Sequence, residues 1–130
     1  MKIMVCYDGS QSSNEALRVA KRHAKAFEAS LVIVTSMEKG TENEREEIQR
    51  VENELKSLKT ACVDEGYECR THLLIRGLSS GEDLVAFARE KEVDEIVIGV
   101  RRRSKVGKIV FGSTAQYVII KAHCPVVTVK

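Results

Sequence analysis

Hydrophobic residues along this chain follow two patterns that take turns. Five short segments are strand-sized: Lys2-Ile-Met-Val-Cys-Tyr7, Leu31-Val-Ile-Val-Thr35, Cys69-Arg-Thr-His-Leu-Leu-Ile75, Asp94-Glu-Ile-Val-Ile-Gly99 and Val126-Val-Thr-Val-Lys130. Near-continuous apolarity over so few residues, rich in Val and Ile, is the mark of a parallel strand covered on both faces. Between them, apolar positions recur at helical spacing: Leu17, Ala20, Ala24 and Phe27, then Ile48, Val51, Leu55, Leu58 and Cys62, then Leu84, Val85, Phe87 and Ala88, and last Ala115, Val118, Ile119 and Ala122. The second of these helices is expected from about Asn43 to Glu65, with a narrow apolar stripe on a heavily charged body.

Local signals agree with this division. Ser10, Ser12 or Ser13 can cap the first helix, with Glu15 in its first turn, and Gly66 can end the second as a C′ residue. Ser79 and Ser80, each followed three residues later by Glu82 or Asp83, form a capping-box-like start for the third helix, and Pro125 separates the fourth from the last strand. The order βαβαβαβαβ requires right-handed crossovers and a mostly parallel sheet with helices on both faces. In open sheets of this kind a ligand binds beyond the carboxyl ends of the strands, where the strand order reverses.

Two segments compete for that position: Tyr7-Asp8-Gly9-Ser10 after the first strand, and the stretch from Gly99 to Thr114 after the fourth. Five of the eight residues from Arg101 to Lys108 are basic, in a chain of net charge +2. Gly99 and Gly112 allow close backbone approach, the amides opening the fourth helix attract an anion, and Ser113 and Thr114 add hydroxyl donors. The bland readings are a solvated basic loop, turn glycines, and an Asp8 that makes an Asx turn or caps the first helix. Two familiar phosphate motifs fail. For a Walker A loop ending at Gly107-Lys108, Arg102 stands at the first glycine and Ile109 at the hydroxyl. Asp8-Gly9-Ser10-Gln11 has too few glycines for a dinucleotide fingerprint.

Composition narrows the class further. A length of 130 residues is expected to form a single domain, residues 1–130, that buries about two-thirds of its unfolded surface. With 43% hydrophobic and 31% charged residues and a single Pro, the chain reads as an ordinary soluble globular protein. Its apolar runs are too short to span a bilayer, and the amino terminus lacks the pattern of a secretory signal, so a cytoplasmic location is expected. The four cysteines, Cys6, Cys62, Cys69 and Cys124, lack metal-site spacing and read as buried thiols. His23, His72 and His123 share no spacing, and no nucleophile and base pair is recognisable. One basic cluster without interleaved aromatics argues against a nucleic-acid partner.

Taken with the five-strand layout, these residues resemble the universal stress protein family over essentially the whole chain, from Val-Cys-Tyr-Asp-Gly-Ser to Cys-Pro-Val-Val-Thr-Val. The specific element is the pattern Gly-x-x-Gly, nine residues, Gly-Ser/Thr: Gly99 fills the first place, Arg102 replaces the second glycine, and Gly112-Ser113 completes it. The resemblance implies a three-layer α/β sandwich of flavodoxin-like or Rossmann-like type, related to the adenine nucleotide alpha hydrolases, with strand order 3-2-1-4-5. It implies ATP or AMP as ligand, Mg2+ as an accompanying ion, and little turnover in a stress response. Gly99, Gly112, Ser113 and Thr114 would meet the phosphates, joined by Arg101 and Arg102, while Asp8 would bond the ribose or base side and Tyr7 and Ser36 would flank the base. A homodimer through Val126 to Lys130 is implied as well.

Arg102 leaves two outcomes open. A side chain there either obstructs the phosphates or supplies a guanidinium to hold them. The alternatives are therefore an interaction protein of the same fold that has lost nucleotide binding, or a slow ATPase or phosphotransferase with Asp8 as its acidic group.

Overall fold

A computed structural model of the chain describes residues 1–38, 44–100 and 111–130. Its elements are β1 (Lys2–Cys6), α1 (Gln11–Phe27), β2 (Ser30–Ser36), α2 (Glu44–Asp64), β3 (Cys69–Leu74), α3 (Ser80–Glu90), β4 (Glu95–Gly99), α4 (Ser113–Lys121) and β5 (Val126–Val129). All strand pairs are parallel and the order is β3-β2-β1-β4-β5, as the resemblance implies. β1 lies in the middle, so the chain winds outward first to one side and then to the other. That reversal opens a crevice at the carboxyl ends of β1 and β4.

Strand alternation sorts the core into two layers. Ile3, Val5 and Tyr7 of β1 and its extension pack with Leu31, Ile33, Ala16, Ala20, Val51 and Leu55 beneath α1 and α2. Met4 and Cys6 join Val32, Val34, Ile96, Ile98, Leu84, Phe87 and Val118 beneath α3 and α4. The period of two along each strand and the helical period on each crossover meet in these layers.

The predicted caps are present. The Ser10 hydroxyl accepts from the Ser13 amide at 3.2 Å, and the Ser79 hydroxyl accepts from the Glu82 amide at 3.4 Å. After α2, Tyr67 N–H meets the Cys62 carbonyl and Gly66 N–H meets that of Val63, each at 3.0 Å, with Gly66 at φ +94°. That is a Schellman ending, and the left-handed angle is why glycine stands there.

Two expected helix-face residues are corrected. Phe27, the last residue of α1, is 52% exposed, with its ring tilted against that of His23. Ile119 is 40% exposed, since α4 buries chiefly Ala115 and Val118. The four thiols are unpaired, with Cys6, Cys62 and Cys69 buried and Cys124 partly so.

Candidate functional site

A cleft of about 290 Å³ sits at the carboxyl ends of β1 and β4, closed on one side by the start of α4 and on another by Ser80 and Leu84 of α3. Tyr7, Asp8, Ser36, Gly99, Gly112, Ser113 and Thr114 all line it. Arg101 and Arg102 lie outside the described residues.

The wall after β1 is built by a tight turn. Asp8 Oδ1 accepts from the Ser10 amide at 2.9 Å across Gly9, whose φ is +83°. This is the Asx turn that the sequence allowed, and it sets Ser10 to cap α1. The Ser10 and Ser12 hydroxyls stand 3.1 Å apart at the mouth. Among the described lining residues Asp8 is the one carboxylate.

Tyr7 is held from the other face of the sheet. Its hydroxyl donates to Glu54 Oε1 at 2.9 Å and lies 3.3 Å from Asn14 Oδ1. Burial and the Glu54 carboxylate push the phenol up to about 12, so it stays a proton donor. The Cys6 thiol in the cleft wall is likewise raised to about 12 by burial and by Asp8, which keeps it protonated and poorly nucleophilic. At the end of β2 the Ser36 hydroxyl is buried with no hydrogen-bond partner among the described residues. A buried hydroxyl in that condition favours a ligand that can bond it.

Among the described residues no side chain accepts from the amides that open the fourth helix. Gly112 is its N-cap at φ −65°, and having no side chain it makes no cap like those of Ser10 and Ser79. The first-turn N–H groups, the positive end of the helix dipole and the hydroxyls of Ser113 and Thr114 thus share one edge of the cleft. Among the described residues a Cβ at Gly112 would meet nothing within 4 Å, so none of them requires glycine there. Gly99 is different: an added Cβ would come within 2.5 Å of the Ser12 carbonyl carbon and oxygen.

Residues without a signal of their own also line the cleft. Cys6, Val34, Leu84 and Ile98 form its apolar part, and only the strand register and the placement of α3 bring them together. Ser12 and Ser80 were visible as capping candidates but not as lining residues.

The family model of the universal stress protein family matches residues 1–130. The chain belongs to the universal stress protein family. A universal stress protein of Methanocaldococcus jannaschii is 32% identical over 140 residues, covering 99% of this chain and 81% of the relative. Among solved structures, a universal stress protein from Archaeoglobus fulgidus superposes with a TM-score of 0.88 at 37% identity, covering 100% of this chain and 98% of the other. The universal stress protein from the same organism in complex with dAMP gives a TM-score of 0.82 at 34% identity, with the same coverage. In this stress-family chain the five-stranded sheet is parallel throughout, and among the described residues no helix is long and apolar enough to cross a membrane.

Proposed function

We propose that this stress-family protein is a cytoplasmic regulatory module that holds an adenine nucleotide, ATP or AMP, in the carboxyl-end cleft with little turnover. The observation that carries the reading is the start of α4, whose amides meet no side-chain acceptor among the described residues and, with Ser113 and Thr114, face the same cavity as Asp8 and the Ser36 hydroxyl, itself without a partner among the described residues. Phosphates suit the helix end, and the sugar and base suit the half-apolar remainder. Relatedness to a protein with dAMP bound supports the same class of ligand. Where a triphosphate brings Mg2+, Asp8 is the one described carboxylate lining the cleft, so the nucleotide itself would carry most of the ion's ligands. No described lining group is a ready base: the thiol and phenol stay protonated and Asp8 is engaged in its turn.

The direct test is to denature freshly purified protein, chromatograph the supernatant, and titrate the apo protein with ATP, ADP and AMP by calorimetry. Released adenine nucleotide, or saturable binding heat, is expected. No nucleotide and no heat at millimolar ligand would leave the fold as an interaction module. Phosphate release abolished by Asp8→Ala would indicate a slow ATPase instead.

Gly112→Ser provides a sharper check. The new hydroxyl caps α4, which stabilises by a few tenths of a kcal/mol, but it competes with phosphate for the same amides. Nucleotide affinity is expected to fall about tenfold, or about 1.4 kcal/mol, with the melting temperature unchanged or slightly raised. Equal affinity in the variant would place the phosphates elsewhere.

We also propose a homodimer through β5, the sheet edge beyond β4. Ile96 N–H bonds the Pro125 carbonyl and Val100 N–H bonds that of Val129, a register that points the Val126 and Thr128 amides outward. Thr128→Pro removes an outward donor and leaves the β4 ladder intact. Sedimentation is expected to shift from dimer to monomer with thermal stability retained. An unchanged dimer would exclude pairing along this edge.

A further inference from the structure

A second cavity, of about 240 Å³, lies at the amino ends of β1, β2 and β3, away from the nucleotide cleft. The start of β2 contributes Ser30 to Val32, and around it stand Lys2, Arg70, His72, Phe87 and Lys91, with Glu68 also lining the space. Parallel register explains the grouping. Val32 pairs with Arg70 and Val34 with His72, and the two valines belong to the core beneath α3 and α4. Partners in a parallel ladder share a face, so Arg70 and His72 project toward α3. α3 ends at Glu90, and its C-cap Lys91 stands over the same space.

The charge here is unbalanced. Among the described residues no carboxylate forms an ion pair with Arg70 or Lys91. The Lys2 ammonium is tied to the Lys91 carbonyl at 2.9 Å. A helix C-terminus attracts cations, which accounts for Lys2 and Lys91. It does not account for Arg70 and His72, which come from the edge strand. The aromatic part is ordered: His72 packs 4.9 Å from the Phe87 ring at 54°, and Lys91 Nζ lies 5.9 Å from that ring's centroid. Burial first, and then the positive charges of Lys91, Arg70 and Lys59, hold the His72 imidazole below its usual range.

We propose that this cavity binds a small organic anion, its phosphate or carboxylate held between Arg70 and Lys91 and its flat apolar body laid against the half-buried His72 ring, which the core residue Phe87 backs. A guanidinium grips either anion through two parallel hydrogen bonds, and the His72 ring, fixed by its packing on Phe87, offers a flat wall. The flat wall is a single imidazole, so the matching ligand is about one ring with its charged group. Positive charge reaches His72 from Arg70 on its own strand, Lys91 beyond α3 and Lys59 of α2, and Glu68 is the opposing carboxylate in the lining. A bound anion offsets that repulsion and raises the imidazole pKa. By linkage, affinity rises as pH falls through that pKa.

The test follows the histidine ring signals of the full chain by NMR during titration with phenyl phosphate, benzoate and inorganic phosphate. Saturable movement of the His72 signals with phenyl phosphate or benzoate is expected, with an upward shift of its titration midpoint. Comparing the two aromatic probes tells phosphate from carboxylate, and inorganic phosphate is expected to bind at least tenfold more weakly. Arg70 and Lys91 are exposed, so Arg70→Gln/Lys91→Gln keeps the fold and is expected to weaken binding at least tenfold. Ser113→Ala is expected to leave the His72 response unchanged, which separates this site from the nucleotide cleft. A His72 signal unmoved by both aromatic anions at millimolar concentration, or one that moves equally in the double variant, would overturn the proposal.

Discussion

Gly99→Ala is expected to lower the unfolding free energy by about 3 kcal/mol and the melting temperature by roughly 10 °C. The added methyl carbon would lie 2.5 Å from both the carbonyl carbon and oxygen of Ser12, and 2.8 Å from its Cβ. Rotating a side chain cannot relieve a contact with backbone. Relief requires the start of α1 to withdraw from β4, against the packing of Ala16, Leu17 and Ala20 on the sheet. Thermal and denaturant unfolding measure the cost, and a melting temperature within about 2 °C of the parent would refute the argument. Ser10 and Ser12 line the cleft and would move with the helix, so nucleotide affinity should drop in the same variant. A loss of binding in Gly99→Ala therefore cannot be read as loss of a phosphate contact, whereas the loss in Gly112→Ser can.

The second large effect lies at the start of α3. Arg76 Nε donates to Oδ1 of Asp83, a side chain fully removed from solvent, and its other nitrogens reach the Asp83 carbonyl and the Glu90 carboxylate. Oδ2 of Asp83 is buried without a hydrogen-bond partner among the described residues, so Arg76 is its principal compensation. Arg76→Leu strands that charge. Removing one member of a buried pair costs about 3–5 kcal/mol, and the 36% exposure of the guanidinium side chain reduces the expected loss to about 2–3 kcal/mol. The double variant Arg76→Leu/Asp83→Leu should recover more than half of it, because the stranded carboxylate is gone. Chemical denaturation of the two variants and the parent decides. A single variant within about 0.5 kcal/mol of the parent would show the pair to be energetically idle.

The ion pair just described had no signature in the chain beyond Asp83 as a capping candidate. Arg76 and Asp83 are seven residues apart across a loop, and Asp83 is buried because α3 turns it against the sheet. The same holds for His23, which meets Glu95 at 2.6 Å across the α1–β4 contact although the two lie 72 residues apart. Exposure of Phe27 and Ile119 was equally hidden, since helical periodicity marks a face and not how far along that face the sheet extends.

Hydrophobic periodicity and cap chemistry are local, acting over a turn or a strand. They were enough to place every strand and helix in order, to name Gly66 as a helix end and narrow the caps to Ser10, Ser12 or Ser13 and to Ser79 or Ser80, of which the structure uses Ser10 and Ser79, and to put a ligand cleft beyond β1 and β4. Spacing alone made Gly99 and Gly112 look alike, two glycines of one motif. Tertiary packing separates them: Gly99 is pressed against the Ser12 backbone, whereas among the described residues nothing crowds Gly112 or caps the helix it opens. The Ser36 hydroxyl, without a partner among the described residues, and the cationic cavity around His72 likewise arise from register across strands far apart in sequence. Such contacts depend on where the backbone of one element comes to rest on another, which no short stretch of residues encodes.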